Sequence, residues 1–124
     1  MIKGMHAIVY SRDADADRAF FRDVLGWPFV DAHGGWLIFA QPPAELAIHP
    51  ADGPEHQELY LMCDDVDATV AELQGKGVEL SSPITDTSFG RLTQIRLPGG
   101  GDLGLYEPRH ASPLATFAGH SSQV

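Results

Sequence analysis

Cysteine is almost missing from this chain: one residue, Cys63, in 124. A single thiol closes no internal disulfide, so an apolar core must hold the fold, and one unpaired cysteine points to a reducing, cytoplasmic setting. Basic residues are scarce as well. Eight Lys and Arg face 17 Asp and Glu, for a formal charge of −9 and a pI near 4.8. Such a chain repels phosphate backbones and anionic bilayers, which argues against nucleic acid or a membrane as partner and favours a cationic one. Long apolar runs are lacking: none approaches the ~18 residues of a membrane span, and the opening Met1-Ile2-Lys3-Gly4 does not begin a secretory signal. What remains, 44% hydrophobic and 20% charged residues, is ordinary for one globular domain.

The sequence that is present reads twice. Shifted by about 52 residues, Asp13-Ala14-Asp15-Ala16 falls on Asp65-Val66-Asp67-Ala68, and Phe21 falls on Leu73. In each half a short apolar run, 7–10 or 59–63, reaches an Asp-x-Asp-Ala and then a stretch with apolar residues three and four apart. The aspartates suit helix N-caps. Gly26 and Gly77 suit the helix ends, where a positive φ is wanted. Strand-like segments follow at 28–31, 35–40 and 45–49, and again at 78–80, 91–97 and 102–107. Pro42-Pro43 and Pro98-Gly99-Gly100-Gly101 mark the last turn of each half. The spacing predicts an α+β domain spanning 1–124. It consists of two βαβββ modules, about 1–51 and 54–108, with a tail over 109–124 anchored only by Leu114 and Phe117. One helix covers one face of a four-stranded sheet. Two such units side by side give a curved mixed sheet with helices on the convex side and a cleft on the concave one.

Three phrases carry a family resemblance. They are Phe20-Phe21-Arg22-Asp23-Val24-Leu25-Gly26-Trp27, Met62-Cys63-Asp64-Asp65-Val66-Asp67-Ala68, and Leu97-Pro98-Gly99-Gly100 leading to Leu105-Tyr106-Glu107-Pro108. In this order, over residues 5–108, the chain resembles the vicinal oxygen chelate superfamily: the glyoxalase I, bleomycin-resistance and extradiol-dioxygenase group. The resemblance implies the paired-module fold and, in the metal-dependent members, one ligand from the first and last strand of each module. Carried over residue by residue, those positions are His6, Ala47, Glu58 and Gly104. Alanine and glycine offer no ligand atom, and a divalent ion wants three or more protein ligands for tight binding. The reading therefore favours no metal. A register slip of two would put Glu45 or His49 in the second position, and His6, His49 and Glu58 would then resemble a two-His-one-carboxylate set for Fe, Zn, Ni or Mn.

Two function classes follow. One is a binding protein that holds a small organic molecule, favoured as cationic by the net charge, in the cleft without the four-ligand metal site. The other is a metal-dependent lyase or dioxygenase using His6, Glu58 and His49 or Glu45, or an acid–base pair of His6 and Glu58. A third, an assembly protein with a vestigial cleft, makes no demand on these residues. Strand alternation sends Tyr10, Tyr60 and Tyr106 to the same face as His6, Glu58 and Gly104. The ligand-lining set is thus His6, Tyr10, Ala47, His49, Glu58, Tyr60, Gly104 and Tyr106. Glu107 reads as a solvated strand-end acid, Cys63 as an inert thiol, and His33, His56 and His110 as surface or turn residues. Free sheet edges and the family's habit imply a homodimer.

Overall fold

The computed structural model describes residues 5–114; the far part of the tail, including Phe117, lies outside the described residues. Helix α1 (Ala14–Ala19) starts where the sequence places it. Asp13 accepts a hydrogen bond from the Ala16 N–H at 3.1 Å, and Asp15 and Asp17 sit in the first turn, at the positive end of the helix. The expected single helix then widens into a π-helical turn over Phe20–Val24, closed by the Leu25 N–H donating to the Phe20 carbonyl. Within this turn Phe20 enters the buried core, while Phe21 packs against Trp27 and Phe39 with ring centroids 5.1 and 5.8 Å away. Gly26, at φ 70°, ends it. An antiparallel hairpin follows, β1 (Phe29–Asp31) and β2 (Leu37–Phe39), its turn fixed by Asp31 accepting from the Gly35 N–H.

The second half is the fuller one. β3 (Tyr60–Met62), α2 (Val66–Gly75), β4 (Leu80–Asp86), β5 (Gly90–Arg96) and β6 (Asp102–Pro108) form a mixed sheet ordered β3-β6-β5-β4. β3 and β6 are parallel, so the chain must cross over between them, and α2 begins that crossover. Alternation sorts the faces. Ile95, Leu103 and Leu105 point to one side and bury against Val66, Val70 and Leu73 of α2. Gln94, Gly104 and Tyr106 take the other side, on which neither α1 nor α2 contributes a buried residue among the described residues.

The first half does not repeat this sheet. The strands expected over 7–10 and 45–49, counterparts of β3 and β6, are irregular chain in the described residues. Their apolar side chains stand in solvent: Ile8 is 61% exposed, Tyr10 92% and Ile48 84%. Strands form only where another strand offers its hydrogen bonds, and neither segment has such a neighbour among the described residues. The strand expected at 78–80 begins at Leu80 and runs on to Asp86, with register shifts along its pairing with β5.

The halves are joined at a few defined points. Phe20 is the first-half member of the buried core. Asp17, 6% exposed, accepts a hydrogen bond from the Gly99 N–H at 2.8 Å across 82 residues of sequence. Lys76 Nζ reaches the Val24 carbonyl at 3.4 Å.

Candidate functional site

The face of the four-stranded sheet opposite α2 carries a row of aromatic rings. Parallel pairing puts Tyr60 directly beside Gly104, and the Tyr60 ring leans over that glycine so closely that a Cβ there would run into it. Tyr106, paired with Met62 on one side and Leu92 on the other, leans over Gly90, where a Cβ would lie 2.5 Å from its ring. Both tyrosines thus use a missing side chain as their seat, an arrangement known to pin register in sheets. The Tyr60 and Tyr106 centroids are 6.0 Å apart, and Phe89 lies 6.3 Å beyond Tyr106, with all contacts tilted. The Tyr106 hydroxyl donates to the Phe89 carbonyl at 3.0 Å.

Carboxylates flank the row. Glu58 lies beside the Tyr60 hydroxyl, and burial together with that carboxylate pushes the hydroxyl's pKa up. At the other end Glu45, half-buried, accepts from the Ser112 hydroxyl at 2.8 Å and lies 3.5 Å from His110 Nε2. The His110 ring stands 5.8 Å from that of Tyr106, whose pKa is also raised, by burial first and Glu45 second. A groove of about 330 Å³ opens at the ends of β3 and β6, lined by Met62, Cys63, Asp64, Pro108 and Ser112. Its volume is at the lower end for a small-molecule pocket. A hollow of about 360 Å³ near Lys76 and Arg96 lies next to core residues, and both cations are already engaged, Lys76 by Glu72 and Arg96 by Asp102.

The sequence-derived residues divide into two groups. Tyr60, Gly104 and Tyr106 are adjacent, with Glu58 next to Tyr60. His6, Tyr10, Ala47 and His49 are exposed residues of the irregular segments. Among the described residues no three of His, Cys, Asp and Glu converge as metal ligands, so His6, His49 and Glu58 do not form the alternative set. At the fourth position there is no carboxylate, and the Tyr60 ring fills the space one would need. The residues present do not fit a four-strand metal centre.

Three features escaped the sequence reading. The sequence assigns no role to Phe89, marks His110 as a surface residue and offers Glu45 only as a metal ligand. The one available signal was Gly90, a small residue two positions from Leu92 on the same face. Glu107 is a correction. It is half-buried, not a solvated strand end, and accepts from the Val66 N–H at 2.8 Å, so it caps α2 from the last strand. Cys63 is half-buried. Burial, aided by Glu107 and Asp64, pushes its thiol up against the pull of Thr69.

Comparison with known proteins places this geometry. The family model described as the Glyoxalase/Bleomycin resistance protein/Dioxygenase superfamily matches residues 5–108. Among solved structures, TnmS3, an antibiotic binding protein from Streptomyces sp. CB03234, is 27% identical with a TM-score of 0.55, over 84% of this chain and 99% of that one. A glyoxalase/bleomycin resistance protein from the same organism is 29% identical with a TM-score of 0.54, over 79% and 94%. A lactoylglutathione lyase from Agrobacterium tumefaciens shares the fold at 19% identity, with a TM-score of 0.60 over 84% and 92%. A search of curated proteins returns no match.

Proposed function

Since the chain belongs to the glyoxalase/bleomycin resistance protein/dioxygenase superfamily, we propose that it is one of the binding members, holding a small organic molecule on the open face of the β3-β6-β5-β4 sheet without a four-ligand metal. The observation that carries this reading is the seat of Tyr60 on Gly104: an apolar ring stands where a metal-binding carboxylate would project. Similarity to an antibiotic binding protein supports the same reading. The face has the composition of an organic-ligand site, mostly ring and apolar surface with a few polar groups at its ends.

The exposed segments around Ile8 and Ile48 support a second element of the proposal, a homodimer in which each copy covers these apolar segments of the other and completes the cleft that one chain leaves open. The lone thiol supports a cytoplasmic setting. A thermal-shift screen over a few hundred small organic compounds tests the binding reading. A ligand that binds the native state alone, at 100 times its Kd, stabilises it by about 2.7 kcal/mol. At least one compound should raise the melting temperature by several degrees, and Tyr60→Leu should abolish the shift. Stoichiometric metal in protein purified without chelator, lost with Glu58→Gln, would refute it.

A further inference from the structure

Two arms of the chain are almost unanchored, and each is held by the other. The first is the loop that follows β2. Its last backbone anchor is the Ala40 N–H on the Pro28 carbonyl at 2.8 Å, and the next is the Leu59 carbonyl, which accepts from the Gly104 N–H at 3.3 Å. Among the described residues, 41–58 make no backbone hydrogen bond between those points. Every residue of 41–59 is exposed except Glu45. The second arm is the tail. It is fixed as far as Arg109, whose N–H donates to the Phe89 carbonyl at 2.9 Å and whose guanidinium is held by Asp86 and the Thr87 carbonyl. Beyond it His110 and Ala111 are exposed, and Ser112 is half-buried.

The arms meet at Glu45 and Ser112. A half-buried carboxylate needs partners to offset its lost water, and Glu45 finds both of its partners in the tail. One oxygen accepts from the Ser112 hydroxyl at 2.8 Å, and the other lies 3.5 Å from His110 Nε2. The same hydroxyl accepts from the Leu114 N–H at 3.2 Å, so the contact also shapes the chain beyond it. Held in this way, the tail sets the His110 ring 5.8 Å from that of Tyr106 and makes Ser112 one wall of the groove at the ends of β3 and β6. A contact of this kind between two loose arms opens far more readily than a strand leaves its sheet.

We infer that Glu45 and Ser112 form a clasp that gates this groove. Formed, it holds the tail against the groove; broken, it frees loop and tail together and admits molecules too large for the closed volume of about 330 Å³. The consequence for ligand entry rests on the binding reading above; the clasp itself does not.

Cys63, the one thiol of the chain, lines the same groove and reports its opening without any ligand. The side chains that shift its pKa are Thr69, Glu107 and Asp64, not Glu45 or Ser112, so a changed reaction rate reports access. Two uncharged reagents read it by mass spectrometry of the intact protein: iodoacetamide, small enough for the closed groove, and N-(1-pyrenyl)maleimide, rigid and of nearly the groove's whole size. Losing a hydrogen bond to a charged group shifts the balance of open and closed forms roughly tenfold. Glu45→Ala and Ser112→Ala should each raise the pyrenylmaleimide rate by that factor and leave the iodoacetamide rate nearly unchanged. Both remove the same bond, so the double variant should react no faster than the faster single. Unchanged pyrenylmaleimide rates, rates that multiply in the double variant, or an equal rise with iodoacetamide would each overturn the gate. So would an equal rise in Asp17→Ala, which loosens the fold at Gly99 and touches neither arm. Because no ligand enters the assay, a failed compound screen removes the binding reading and leaves the gate, and a failed gate leaves the binding reading.

Discussion

Asp17→Ala removes the one hydrogen bond by which a buried side chain of α1 holds the glycine turn between β5 and β6. The carboxylate is 6% exposed and accepts from the Gly99 N–H at 2.8 Å. Truncation leaves that half-buried donor without its partner. A hydrogen bond to a charged group contributes about 1.5–3 kcal/mol, and an orphaned donor costs a similar amount. About 2 kcal/mol is therefore expected. For a domain of this size that is a fall in melting temperature of about 8 °C. Asp17→Asn keeps an acceptor oxygen and should lose about half as much. Gly99→Ala approaches the same junction from the other side, since its Cβ would lie 2.5 Å from Ser11 Oγ and 2.9 Å from Asp17 Oδ2. Because the two sites touch, the double variant should be destabilised by less than the sum of the singles, with a coupling of about 1 kcal/mol. Urea unfolding followed by circular dichroism supplies all four free energies. A loss below about 0.5 kcal/mol for Asp17→Ala, the range of ordinary surface substitutions, would mean that water replaces the carboxylate, and the link between the halves would have to be sought in Phe20 alone.

Glu107→Ala should cost about 1 kcal/mol by freeing the Val66 N–H at the start of α2, and amide exchange should rise selectively over the first turn of that helix. Gly104→Ala should displace the Tyr60 ring and destabilise the fold by about 1–3 kcal/mol, as overpacking does; Gly104→Ala in a Tyr60→Ala background should be much milder, and equal penalties in the two backgrounds would contradict the geometry. Burial holds the Cys63 thiol above its ordinary pKa. A folded-state pKa above the unfolded one contributes stability that is complete below the unfolded value and is lost as pH rises through the folded one. Alkylation of the native thiol should accordingly require a higher pH than alkylation in urea, and stability should decline on the alkaline side.

The helices were legible because their signals are local. Asp13 and Asp65 cap within three residues of themselves, and Gly26 and Gly77 take the positive φ that ends each helical segment. The hairpin of β5 and β6 was legible for the same reason, from its Pro-Gly-Gly-Gly turn. β4 was misplaced because Ser81, Ser82, Pro83, Thr85 and Asp86 look nothing like a strand. As an edge strand it pairs on one side, and at an edge polar residues and a proline are tolerated. The segments 7–10 and 45–49 failed in the opposite way. They have the right alternation, but alternation says which face a strand would bury and nothing about whether another strand lies beside it. Much of the site was hidden for a related reason. That Tyr60 comes to rest on Gly104 follows from a parallel register between strands more than 40 residues apart, and no local pattern encodes it. Glu45 and His110 meet across 65 residues of chain in the same way.

The seating of Tyr60 on Gly104 also constrains how this sequence can change. A carboxylate introduced at 104 meets the ring before it can reach any ion, so the first step toward a ligand there is a loss of about 1–3 kcal/mol with nothing gained. Removing the ring first exposes the buried backbone at Gly104 and takes away half of the central aromatic pair. Either order passes through a weaker protein. Positions 60 and 104 are therefore epistatic: the sign of a substitution at one depends on the residue at the other. Drift at single sites will keep the tyrosine and the glycine together, and a lineage leaving this arrangement must change both in close succession.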